Sequence, residues 1–202
     1  MSDYSFIERF EALTVTFVRG SDLDRCGEVL RFRWPTESQA TLADAEMAQF
    51  DALADTGGAQ AVLQVDELAG WLVFVEPGGW LTTDHALLGA LSAGGQAVSV
   101  FWNVEADTQF AYARQGAVVR SFEAVLFEQS AVGEPLPQEA GLGFGQPRIP
   151  VRALMMELAE RITGVTLDEE WLLDRSRRTW RATVYELTDA NLPWYMRTPE
   201  QQ

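Results

Sequence analysis

From Gly70 to Glu76 the chain runs Gly-Trp-Leu-Val-Phe-Val-Glu. An extended backbone puts Trp71, Val73 and Val75 on one side and Leu72 and Phe74 on the other. Strand side chains alternate between the two faces of a sheet, so apolar residues on both sides require a sheet covered on both faces. This single strand therefore predicts layers of other structure above and below it.

The neighbouring sequence supplies the rest of the sheet. Ala61–Asp66 leads through a short turn into Gly70–Glu76. Leu13, Val15 and Phe17 alternate with Thr14, Thr16 and Val18 and end at Gly20. Val98, Val100, Trp102 and Val104 alternate with Ser99, Phe101 and Asn103. Residues 97–104, 108–114 and 117–123 form an antiparallel meander, with Gln115-Gly116 as a tight turn, and 179–187 reads as a further strand.

Helical spacing appears elsewhere. Phe6, Ile7 and Phe10 share a face over 3–12. Ser21 with Asp24 opens a helix carrying Leu23, Cys26 and Leu30, and Trp34-Pro35 then breaks the chain. Thr41 with Asp44 makes a capping box for a helix over 42–55, whose apolar stripe is Ala43, Met47, Phe50 and Ala54. Thr83 caps a short helix through Leu91, with His85 an ordinary surface residue in its first turn. Val151, Leu154, Met155, Leu158, Ala159 and Ile162 follow the i, i+3, i+4, i+7 pattern between Pro150 and Gly164. Thr166 with Glu169 opens a last helix.

The expected fold class is α+β: a mostly antiparallel sheet of five or six strands backed by helices, with a C-terminal amphipathic helix packed on it. The expected organisation is a sheet domain over 1–128, then a linker or draped loop over 129–150, where four glycines and four prolines interrupt all periodicity. Residues 151–202 form a C-terminal helical segment on the same domain.

Composition removes most catalytic routes. All 15 basic residues are arginine, and the only histidine and cysteine are His85 and Cys26. Without lysine there is neither a P-loop nor Schiff-base chemistry. Two ligands of the Cys and His type are too few for structural zinc, and no Gly-x-Ser-x-Gly elbow presents a nucleophile. Gly141–Gly145 is glycine-rich, but no strand precedes it. No catalytic residue, metal site or cofactor is expected, although carboxylate-only chemistry stays open. Cys26 reads as a small buried hydrophobe. A lone cysteine fits a reducing cytoplasm. No apolar run reaches the roughly 18 residues of a membrane span, and Met1-Ser2-Asp3-Tyr4 lacks the basic opening of a signal peptide.

The net charge is −15, unevenly spread. Residues 1–147 hold 21 acids against 7 arginines; residues 148–202 hold 9 against 8. Such a body repels nucleic acid and anionic membranes and attracts basic partners. The ordinary reading of an acidic surface is solubility. Asp44, Asp51 and Asp55 form a second stripe on the 42–55 helix, which is ordinarily just a solvated face. Arg175, Arg177, Arg178 and Arg181 are the one basic cluster. It either pairs with the acidic body or offers a phosphate or nucleic-acid site.

Four blocks resemble an uncharacterised, mainly actinobacterial family: Val15–Gly20, Gly70–Trp80, Leu91–Val104 and Leu158–Val165. Glycine at Gly78 or Gly79, where an Asn-Gly turn is usual, and Glu105, where an asparagine often follows the strand, are departures. The resemblance implies a bacterial fold shared over roughly residues 13–173 and no reaction. Within those blocks Glu76 either binds a ligand or accepts hydrogen bonds from the turn after it. Trp80 is the best exposed aromatic anchor. Asn103 caps the turn that follows it.

The leading functional expectation is a non-enzymatic acidic binding module, in its sharper form an immunity-type or inhibitor protein masking a basic protein partner through Asp44, Asp51, Asp55 and Trp80. A small-ligand binder or carboxylate-based enzyme centred on Glu76 and Asn103 is the alternative. A structural or regulatory subunit of a larger complex is a third.

Overall fold

The computed structural model describes residues 3–56 and 60–183, without the side chains of 33–37, 53–56 and 183. The strands are β1 (Leu13–Arg19), β2 (Phe32–Ala40), β3 (Gln60–Leu68), β4 (Trp71–Pro77), β5 (Gln96–Trp102), β6 (Thr108–Arg114), β7 (Ala117–Glu123) and β8 (Arg177–Thr183). They build one eight-stranded sheet in the order β2-β8-β3-β4-β1-β5-β6-β7. Every pairing is antiparallel.

The helices are α1 (Leu23–Leu30), α2 (Leu42–Thr56), α3 (His85–Leu91), α4 (Phe127–Ser130), α5 (Val151–Thr163) and α6 (Glu169–Leu173), with 3-10 turns at Ser5–Arg9, Leu81–Thr83 and Pro137–Glu139. They form two layers. On one face Trp71, Val73 and Val75 join a core with Val15, Phe17 and Trp102 under α5, α6 and the first 3-10 turn. On the other face Leu72 and Phe74 join Val18, Leu63 and Trp180 under α1 and α3. The α+β class with an antiparallel sheet backed by helices is as expected, and β4 is buried on both sides.

The sheet has eight strands, not five or six. The strand that was not expected is β2, at one edge, where among the described residues it pairs only with β8, the strand expected over 179–187 and observed from Arg177. Trp34-Pro35 does not break the chain. It falls where the β2–β8 register shifts between Arg33 and Ser38. An edge strand with an irregular register tolerates a proline that a central strand would reject. Two hairpins close through two-residue turns in which both residues are left-handed, Ala69-Gly70 and Gln115-Gly116, the geometry that matches the strands' right-handed twist.

Three helix starts differ from expectation by one or two residues. Asp22, Asp84 and Asp168 accept the first-turn amides of α1, α3 and α6, displacing the Ser21, Thr83 and Thr166 beside them. The Thr41–Asp44 box is present: Asp44 N donates to Thr41 Oγ1 at 3.3 Å, and Thr41 N and Oγ1 donate to the Asp44 carboxylate. The segment 129–150 is draped over the sheet. Leu142 is buried, Leu136 and Phe144 pack on the core, and Val132 forms a bridge to Ser121 of β7.

Candidate functional site

Glu76 is fully buried at the end of β4. Its Oε2 accepts from Leu81 N at 2.8 Å, and its Oε1 accepts from Thr82 N at 3.0 Å and from the Thr82 hydroxyl. Thr82 Oγ1 lies 2.7 Å from Thr16 Oγ1, which donates to Ser99 Oγ at 3.1 Å. Thr14 Oγ1 donates to the Gly79 carbonyl at 2.6 Å. Burial pushes the Glu76 carboxyl above its ordinary range against the pull of these donors. The carboxylate thus holds the turn after β4 to the sheet. Asn103 does the same for the β5–β6 turn: its Oδ1 accepts from Glu105 N and Asp107 N, and its Nδ2 donates to Asp107 Oδ2 at 2.8 Å.

The arginine cluster divides. Arg175 pairs with Asp66 at 2.9 Å. Arg177 is buried and donates to Gln64 Oε1 and to the carbonyls of Trp171 and Leu172 at the end of α6. It lies 4.6 Å over the Trp171 ring. Burial lowers its guanidinium to about 10. Arg178 lies over the Trp180 ring at 5.3 Å.

Helix α2 is turned the other way from its expected apolar stripe. Leu42, Ala45, Gln49 and Ala52 face inward, and Gln49 Oε1 accepts from Val62 N at 2.6 Å. Met47 and Phe50 face outward, 64% and 69% exposed. The large side chains suggested the core face, but the helix lies close on β3, where small residues and one glutamine fit. Asp44 and Asp51 are exposed on this outer side; the Asp55 side chain lies outside the described residues. Phe50 also lines a groove of about 590 Å³ with Arg9, Phe10, Glu11, Glu46 and Pro77. Partial burial and the nearby Glu11 hold the Glu46 carboxyl above its usual range.

Trp80 does not join that surface. It lines a separate groove of about 700 Å³ on the opposite face of the sheet. The floor is Phe101, Gln109 and Glu123, part of a row of paired residues that continues to the buried Thr14. At the β4 end of the row Thr14 pairs with Glu76, sealed under the 79–82 turn. At the β7 end the row is open, and Asp84, His85 and the 126–132 segment form walls. Gln109 Nε2 and His85 Nε2 are 3.2 Å apart. Sequence reading missed this groove, because its residues come from three strands, a turn and a helix start and no spacing links them.

A model of a family of unknown function, DUF6461, matches residues 1–182. The chain belongs to this family. No curated protein matches it, and neither does any solved structure.

In this DUF6461 chain the four blocks that carried the resemblance are structural. Val15–Gly20 lies on the central β1, Gly70–Trp80 spans β4 and the Glu76 turn, and Leu158–Val165 ends α5. The Leu91–Val104 block contains Gly94, whose backbone packs against Gly20; a Cβ on either residue would collide with the other's carbonyl oxygen. Among the described residues no group of three or more His, Cys, Asp or Glu could hold a metal ion, and no helix is long and apolar enough to cross a membrane. Burial raises the Cys26 thiol to about 11, so its reactive thiolate is scarce near neutral pH.

Proposed function

We propose that this protein is a non-enzymatic acidic binding module whose α2 face receives a basic protein partner. The observation that carries the reading is the exposure of Met47 and Phe50 beside Asp44, Glu46 and Asp51. Large apolar side chains set among charges are what a docking surface needs: desolvated anchors, and a field that steers the partner. Arg9 beside Phe50 is paired with Glu169; the other charged neighbours of these anchors are acidic, and the body over residues 1–147 carries 21 acids against 7 arginines, so the complementary surface is cationic. An immunity-type or inhibitor role, in which the module masks a basic protein, is the specific form favoured here.

Support for the alternative centred on Glu76 is weaker, since both carboxylate oxygens already accept from Leu81 and Thr82. Asn103 is similarly engaged by its own turn.

The test captures partners from the native host on immobilised protein, in parallel with Phe50→Asp. The expected partner is basic, is lost by the variant, and associates far more slowly as the Debye length shrinks from about 30 Å at 0.01 M salt to about 8 Å at 0.15 M. Charge reversal belongs at Glu46 and Asp51, because Asp44 also caps α2. A partner retained by Phe50→Asp, or an on-rate indifferent to salt, would overturn the reading.

A further inference from the structure

The groove on the other face of the sheet has features that the α2 surface does not explain. Its floor is the open end of the β5–β6–β7 meander, with Phe101, Gln109 and Glu123 in one paired row and Ser121 in the next. Trp80 and Phe101 give it aromatic surface, and Leu126 and Val132 add apolar wall.

Two observations define what it would hold. The first is charge. Asp84, Asp107 and Glu123 line the groove and no arginine does. Each carboxylate accepts only from neutral donors: Asp84 from Ala86 N and Leu87 N, Asp107 from Asn103, and Glu123 from Thr108 and Val125. None of the three forms an ion pair among the described residues. Neutral donors satisfy the lone pairs but leave the charge standing, and a walled cleft concentrates that field. The second is Ser121. It is 6% exposed and lines the groove, and its hydroxyl has no hydrogen-bond partner among the described residues. The atom is not fully enclosed, so it meets the groove, where it has no protein partner. A ligand atom in the groove would supply one.

We propose that this groove binds a small organic amine, with its ammonium beside Glu123, between Asp107 and Ser121, and its apolar body against Phe101 and Trp80. Anionic ligands are disfavoured by three uncompensated carboxylates, and neutral ones leave those charges unmet. Aromatic surface beside the carboxylates suits a cation on a flat or aliphatic body. The site is independent of the α2 reading.

The probes are phenethylamine, tyramine and cyclohexylmethylamine, with phenylacetate and phenethyl alcohol as controls that replace the ammonium. Backbone NMR of the full chain reads binding by saturable shifts at Gln109, Ser121 and Glu123. Binding by the amines and not by the controls is expected. Val132→Arg places a guanidinium at the mouth from a position that is 64% exposed. It should leave the melting temperature unchanged and weaken amine binding about tenfold or more. The proposal is overturned if no amine saturates below about 10 mM, a tenfold margin over the roughly 1 mM expected of a fragment-sized ligand. It is equally overturned if phenylacetate or phenethyl alcohol binds as well as the amines, if the shifts lie elsewhere, or if Val132→Arg binds like the wild type.

Discussion

Arg120 and Glu139 hold each other through two parallel hydrogen bonds, Nε to Oε1 and Nη2 to Oε2, each 2.8 Å long, with the arginine buried and the glutamate largely so. Arg120 belongs to β7 and Glu139 to the 3-10 turn of the draped segment. The same guanidinium donates to the Gly133 carbonyl at 2.9 Å and lies over the rings of Phe122 and Phe127. A proline- and glycine-rich stretch with little regular structure of its own is thereby fixed to the sheet at its middle.

Glu139→Ala leaves a buried guanidinium without its anion. The expected loss is about 3–5 kcal/mol, whereas replacing both partners by apolar residues of similar volume should cost far less. Denaturant midpoints of the single and double variants check this. A single variant as stable as the wild type would mean that the clasp contributes nothing.

Glu76 gives a pH signature. Burial holds its carboxyl above the ordinary 4.5 in the folded protein, so the folded state binds that proton more tightly than the unfolded chain does. The contribution favours folding below 4.5 and fades as pH rises through the raised folded value. Glu76→Gln cannot titrate. The stability of the wild type relative to this variant should therefore fall as pH rises; a difference that stays flat between about pH 4 and pH 8 would refute the assignment.

Gly20 and Gly78 separate two reasons for glycine. Both are left-handed, at φ 83° and 62°. A Cβ on Gly78 would meet nothing, while one on Gly20 would strike the Gly94 backbone. Alanine at Gly78 should cost only the left-handed strain, about 1–2 kcal/mol. Alanine at Gly20 should cost about 1–3 kcal/mol more. Equal losses in thermal unfolding would argue against the close Gly20–Gly94 contact.

Leu158 is fully buried on the inner side of α5, in the core of that face of the sheet. Leu158→Asp puts an unpaired carboxylate into that core and should destabilise by about 3 kcal/mol or more. An unchanged melting temperature would show that α5 is dispensable to the fold.

Legibility followed periodicity. The two-sided apolar run of β4, the three meander strands and the stripe of α5 stand out in sequence because burial there repeats at a fixed interval. β2 was hidden by Pro35, since a local rule about proline does not know that its strand will be an edge. α2 was read on the wrong side because Ala45, Gln49 and Ala52 carry little hydrophobic signal, although they make the contact. The arginines divided as no spacing could indicate: Arg177 is drawn in by carbonyls at the end of α6, while Arg175 meets Asp66 at the end of β3. The groove at Ser121 is a product of register alone, and register between distant strands is not written in any local pattern.

The position of β8 has a consequence for synthesis. Among the described residues β2 borders no strand but β8, and Ala40 and Arg177 are paired across about two thirds of the chain. On a ribosome β2 and the edge of β3 stay uncovered until β8 has been made. Such an interval exposes unpaired strand to neighbours. The small β5–β6–β7 meander, whose pairings are all local, is the part able to order first, and the β2–β8–β3 edge is where a nascent or truncated chain would recruit a chaperone or aggregate.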